Sequence, residues 1–359
     1  MHNRFENIDA LRGIAALLVV WQHSSEMFIK QIGVAQHGIF LAEIAKELDF
    51  GRIGIICFFL ISGFVIPSSL KTDDNSGLKK FAIRRFFRLY PAYWVSIVMV
   101  VLISSFYTSI PSSITILANS TMIQGVFQQP HLNGLYWTLQ VELIFYLLCA
   151  ILFFFNRLHN DKSIFVLIVI FFSIFVIMQC LPLITANPLK MHKEVQLLPY
   201  LLSIMFLGAF YRKIYDNLAQ NKKNPITLKK YVFVATFMCL GLPLTLLTLS
   251  FLKIEIVADS FRFGAGHSLG FVLFFLGIIF IKKAPRFILF LGLISYSLYL
   301  FHPMVMRIMV QLTKNNSIFQ GFHVSVYILA TTLFSILLAY TIYTFVEKPA
   351  LKLSHRITK

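Results

Sequence analysis

Asp9-Ala10-Leu11-Arg12-Gly13-Ile14-Ala15-Ala16-Leu17-Leu18-Val19-Val20-Trp21-Gln22-His23 is an apolar run interrupted by a guanidinium and an imidazole. At about 100° per residue, Arg12 and His23 fall within roughly 20° of one helix face, about 16 Å apart along the axis. A cation in the middle of a membrane helix costs about 2.5–3.5 kcal/mol on insertion scales and is rarely left against lipid. This face is therefore expected to point into the protein. There Arg12 suits an anionic group, and His23 suits acid–base or acyl-transfer chemistry. Ala15, Ala16 and Val19 lie on or beside the connecting face, leaving room for a thin ligand or a close neighbouring helix.

The rest of the chain sets the same environment. It has 359 residues, 58% hydrophobic and 13% charged. That composition predicts an all-α polytopic transmembrane helical bundle, in which each span satisfies its own backbone. Ten spans are expected, near 10–29, 53–69, 91–110, 136–155, 163–183, 196–211, 231–251, 265–281, 287–308 and 324–346. They make a single domain over 1–359. With the N-terminus inside, most Lys and Arg fall in inner segments, and the long outer loop from Pro111 to Gly134 has none. Both termini are then cytoplasmic. The net charge of +17 is dispersed over short loops. It points to orientation and anionic membrane lipids rather than nucleic acid, with a share for an anionic cofactor. Cys57, Cys149, Cys180 and Cys239 all sit in apolar runs and form neither a disulfide framework nor a zinc motif. The first span lacks a small-residue cleavage site and is expected to be retained.

Three further polar groups interrupt the spans. In Arg84-Arg85-Phe86-Phe87-Arg88-Leu89-Tyr90-Pro91, Arg85 and Arg88 share a helix face. Their forks suit phosphate, although the positive-inside rule alone also places basic residues there. In Trp137-Thr138-Leu139-Gln140-Val141-Glu142, the tryptophan suits a membrane interface and Glu142 lies about 7 Å further in. Such a carboxylate can orient a histidine, act as a base or pair with a cation. In Ser295-Tyr296-Ser297-Leu298-Tyr299-Leu300-Phe301-His302-Pro303, His302 falls at a depth like that of His23 and Glu142. Pro303 leaves the Tyr299 carbonyl without its helical donor. His267, His131 and Asn133 are weaker candidates, and Ser62-Gly63 marks close helix packing. No P-loop, GxSxG elbow or HExxH is present. The pattern is two-sided, with arginines for an anionic donor inside and proton-handling groups further out.

These residues resemble the acyltransferase-3 family of integral membrane acyltransferases, which includes bacterial O-antigen acetylases and nodulation-factor acetyltransferases. The likeness rests on Arg12 and His23 in the first span, Phe58 to Phe64, Arg85 with Arg88 and Pro91, Trp137 to Tyr146, Ser295 to His302, and Glu347 with Pro349. One departure is Leu143, where the family has a second glutamate. The resemblance implies transfer of an acyl group, most often acetyl, from cytoplasmic acetyl-CoA to a carbohydrate hydroxyl. It implies a multi-pass protein of the bacterial inner membrane. Arg12, Arg85 and Arg88 are then expected to hold the donor. His23, Glu142 and His302 are expected to carry the chemistry, with no metal. The acceptor is expected to be a surface or lipid-linked glycan. Some members carry an appended extracytoplasmic SGNH hydrolase-like domain. None is expected here, so transfer is completed alone or with a separate extracytoplasmic partner. The alternatives are a small-molecule acceptor such as a macrolide, a transporter of an anionic substrate, and a non-catalytic scaffold.

Overall fold

The structure is a computed structural model and describes residues 5–31, 33–70, 77–107, 109–185, 192–254 and 259–359. The helices are α1 (Glu6–Glu26), α2 (Phe40–Glu47), α3 (Phe50–Val65), α4 (Gly77–Tyr107), α5 (Ser113–Ser120), α6 (Tyr136–Phe154) and α7 (Asp161–Thr185). They continue with α8 (Lys193–Ala219), α9 (Ile226–Phe251), α10 (Ser260–Phe280), α11 (Arg286–Asn315), α12 (Val324–Ile342) and α13 (Lys348–Ile357). Among the described residues, nine helices are long and apolar enough to cross a membrane, and each matches an expected span. The remaining expected span is α1, which forms a full helix but carries Glu6, Asp9, Arg12, His23 and Glu26. The chain is a multi-pass helical membrane protein.

Two compact units are present. One comprises Met1–Cys57, Ala82–Tyr136 and Phe261–Lys359, and the other Phe58–Phe81 and Trp137–Ser260.

In the first unit α1 packs most extensively on α11, and both pack on α12. Glycine makes this possible. A Cβ on Gly292 would overlap the Asp9 backbone carbonyl, and one on Gly13 would meet the Gly292 nitrogen at 2.9 Å. Gly292→Ala is therefore expected to cost about 1–3 kcal/mol by forcing backbone apart. A lowered thermal midpoint of the purified protein checks this, and an unchanged midpoint would refute the close crossing. On another face of α1, a Cβ at Gly54 of α3 would meet the Ala15 carbonyl at 2.6 Å and Val19 at 2.8 Å. The small residues of the first span thus admit a neighbouring helix there.

Polar pairings fix which helix ends lie together. The Ala284 amide, just before α11, donates to Glu6 at the start of α1 (3.3 Å). Arg88 of α4 pairs with Glu347 after α12, and Arg84 Nε donates to Thr358 Oγ1 beyond α13 (2.9 Å). At the other end Arg262 of α10 reaches Glu26 (3.9 Å) and Asp49 (3.7 Å), and its Nε donates to the Lys46 carbonyl (2.8 Å). Within this unit α1, α4 and α11 therefore run in one sense, and α10 and α12 in the other.

The uncharged stretch expected as an outer loop behaves differently. Tyr90, Tyr93 and Trp94 of α4 donate to the carbonyls of Thr121 (3.0 Å), Asn119 (2.7 Å) and Ser120 (3.0 Å). These side chains lie 13–17 residues before the end of α4 at Tyr107, about 20–25 Å along its axis. The stretch containing α5 thus turns back and re-enters alongside α4. Tyr136, at the start of α6, lies beside Ser96 (2.7 Å), so the fourth span begins opposite the middle of α4. Irregular backbone at membrane depth is tolerated where protein buries it, and here tyrosine and tryptophan side chains satisfy its carbonyls. Its lack of charge suits re-entry as well as it suits an outer loop.

The second unit is built on α7, α8 and α9. A Cβ at Gly63 would overlap the Met205 carbonyl, so Gly63 does mark a close crossing with α8. Lys213 pairs with Asp161, and Arg212 Nε contacts both oxygens of Asp216 at 2.8 Å.

Candidate active site

His23 and His302 meet. Nδ1 of His23 lies 3.0 Å from Nε2 of His302, with ring centroids 5.3 Å apart and the planes 14° from parallel. The α1–α11 crossing brings together residues 279 positions apart. His302 is fully buried, whereas His23 is part-buried. The second nitrogen of His302 decides the direction of the hydrogen bond. Its Nδ1 faces the Leu298 carbonyl at 3.2 Å, beside the Tyr299 carbonyl that Pro303 deprives of a helical donor. A carbonyl only accepts, so this Nδ1 carries the proton. With one proton on each ring, His302 Nε2 accepts from His23 Nδ1–H. The lone pair of His23 then sits on Nε2, where it can take a proton from a hydroxyl or attack a carbonyl. His302 orients His23 through a backbone anchor, as a third group does in a catalytic triad.

Glu26 does not bond His23. Its Oε1 accepts from Gln22 Nε2 (2.9 Å) and faces Arg262. Gln22 Oε1 in turn accepts from the Gly51 amide (3.1 Å), and the Arg52 amide donates to Asp49 Oδ1 (3.0 Å), opening α3. This cluster holds α1 against α3 and α10 one turn beyond His23.

Arg88 is held on two sides. Its Nη1 donates to Glu347 Oε1, its guanidinium stacks 5.6 Å above the Tyr296 ring, and Tyr296 donates to the Leu89 carbonyl (2.9 Å). The other Glu347 oxygen accepts from Ser297 Oγ (2.8 Å). Glu347 is 1% exposed. It sits at the end of a π-helical turn, Tyr343–Glu347, preceding Pro349, which cannot donate to the Phe345 carbonyl. Arg12 and Arg85 belong to the same unit and are part-buried. Glu142 belongs to the second unit, where its carboxylate accepts from Tyr146 OH one turn on.

The weaker candidates make local bonds, although the buried Asn133 Nδ2 has no hydrogen-bond partner among the described residues. His267 is buried with Nδ1 2.7 Å from the Phe263 carbonyl. Asn133 accepts from the Leu135 amide (3.3 Å) ahead of α6. His131 Nδ1 lies 2.6 Å from Gln124 Nε2. No group of three or more His, Cys, Asp or Glu suited to a metal ion occurs among the described residues. Two features escape a sequence reading: the role of Glu347 toward Arg88, and the Glu26–Asp49–Arg262 cluster. Matching the depths of charges at span ends would have suggested both.

The acyltransferase domain of the acyltransferase-3 family matches residues 5–344, and the chain belongs to that family. Among curated proteins it is similar to the peptidoglycan O-acetyltransferase OatA of Listeria monocytogenes serovar 1/2a, 43% identical over 76 residues. That match covers 19% of this chain and 12% of OatA. It is also similar to the putative acetyltransferase ORF330 of Acidianus two-tailed virus, 27% identical over 141 residues, covering 39% of this chain and 38% of that protein. The chain thus spans well under two thirds of each relative it matches. No solved structure matches.

Proposed function

We propose that this protein is an O-acyltransferase of the bacterial inner membrane, moving acetyl from cytoplasmic acetyl-CoA to a hydroxyl of a surface or lipid-linked glycan. The observation that carries the reading is the His23–His302 pair, held at 3.0 Å by the crossing of two buried helices in an acyltransferase-3 chain. In this reading His23 Nε2 takes the proton of the acceptor hydroxyl as its oxygen attacks the thioester carbonyl. The carbon–sulfur bond then breaks, the thiolate leaves, and the imidazolium returns the proton to sulfur. Glycan ester and free coenzyme A are the products. Arg12, Arg85 and Arg88 are the groups assigned to the phosphates of the donor, because a guanidinium fork matches phosphate geometry. Glu142 is assigned an assisting role toward the acceptor hydroxyl.

The test is acceptor-dependent coenzyme A release by the purified protein in nanodiscs supplied with acetyl-CoA and isolated envelope glycans. The expected result is thiol release matched by one acetyl ester per turnover on the glycan. Acetyl-CoA left intact in the presence of every glycan fraction would overturn the reading. Glycan transport without ester formation would overturn it in favour of a transporter.

A further inference from the structure

Beyond the histidine pair, away from the N-terminal end of α1, the first unit holds a half-open cavity of about 530 Å³. Met27, Tyr107, Ser112, His131, Arg307 and Gln311 are among the residues that line it. Its position follows from the helices that carry the pair. Met27 lies four residues past His23, and Arg307 five residues past His302. Both α1 and α11 run in the same sense, so the cavity opens about 6–8 Å further along them. The opposite wall is made where the re-entrant stretch leaves α4 and where it returns, at Ser112 and His131.

The chemistry of the lining is one-sided. Among the described residues no Asp or Glu borders the cavity, and the stretch from Pro111 to Gly134 contains none. Among the described residues, Arg307 has no carboxylate within salt-bridge distance. Gln311 follows one turn later on the same helix face, so the guanidinium and amide donors line up. Elsewhere in this unit Arg88 has Glu347, Arg262 has Glu26 and Asp49, and Arg52 has Asp49. The volume falls within the range of small-ligand sites, with apolar walls and a few polar groups.

We infer that this cavity is the acceptor subsite, and that Arg307 selects acceptors bearing an oxyanion, a carboxylate or phosphate on the saccharide. The inference rests on the proposed O-acyltransferase reading and adds the acceptor class to it. An acidic saccharide anchored at Arg307 presents its neighbouring hydroxyls toward His23 Nε2.

The test uses the full-length protein in phosphatidylcholine nanodiscs. Binding of trigalacturonate and of its carboxyl-reduced trisaccharide is measured for wild type, Arg307→Gln and Arg307→Lys. Wild type is expected to bind the acidic probe about 10-fold tighter or more, as one charge-assisted hydrogen bond supplies. Arg307→Gln is expected to bind both probes alike, and Arg307→Lys to regain part of the preference. Equal binding of the two probes by wild type, or a preference that survives Arg307→Gln, would overturn the inference. So would a preference abolished when phosphatidylglycerol replaces phosphatidylcholine, which would assign Arg307 to lipid headgroups. Coenzyme A release in the same discs separates this inference from its parent. Retained preference without any acceptor-dependent release sinks the enzyme reading alone, and release without preference sinks the acceptor subsite alone.

Discussion

Purified His23→Ala is expected to lose acetyl transfer by about 10²–10⁴-fold, the range that a positioned acid–base group contributes. Its thermal midpoint should change little. The substitution removes a part-buried ring whose polar contact is to His302, and it leaves the glycine crossings of α1 intact. A loss of activity caused by unfolding would instead lower the midpoint and weaken every binding readout. His302→Ala is expected to cost less. It removes the orienting bond but leaves the imidazole of His23 in place. Its Leu298 and Tyr299 carbonyl partners are then left facing a void. Holding back the acceptor adds a second readout. Acetate recovered on His23 by mass spectrometry would show that Nε2 carries the acyl group itself rather than a proton.

The second large effect is on stability. Glu347→Ala is expected to cost about 3 kcal/mol, the lower end of the range for breaking a buried ion pair. The lower end applies because the Arg88 side chain is 19% exposed and regains some hydration. The same change removes the acceptor of Ser297 Oγ, which is itself fully buried. Replacing both partners, as in Arg88→Met with Glu347→Met, is expected to recover most of the lost stability, since the uncompensated charge is gone. That double variant is also informative about the donor. If Arg88 serves the phosphates of coenzyme A, the folded double variant shows a raised KM for acetyl-CoA. A midpoint unchanged by Glu347→Ala alone would remove the pair from the stability of this unit.

Much of this was legible in the chain because membrane physics leaves few choices. The ten apolar runs could only be helices, and each one is. Arg12 and His23 stood out because a polar group in such a run needs a reason. The meeting of His23 with His302 was legible only as a similarity of depth. The sequence does not say which helices touch; Gly13 and Gly292 decide that, and a glycine in an apolar helix carries no address. The stretch 111–134 misled for a physical reason. Lack of charge is required of backbone that re-enters and merely permitted in an outer loop, so composition alone could not separate them. Nothing in the sequence singles out Tyr90, Tyr93 and Trp94. They are the donors that satisfy the returning chain. Ala15 and Val19 were ambiguous between ligand space and helix contact, and Gly54 of α3 occupies the space beside them.

A double-substitution cycle on the two histidines tests the account most directly. Single-turnover acetyl transfer would be measured for wild type, His23→Ala, His302→Ala and the double variant, each in nanodiscs with its midpoint recorded. If His302 works by orienting His23, the double variant transfers acetyl as slowly as His23→Ala and no slower. Losses that multiply, or a His23→Ala protein that turns over at the wild-type rate, would contradict it.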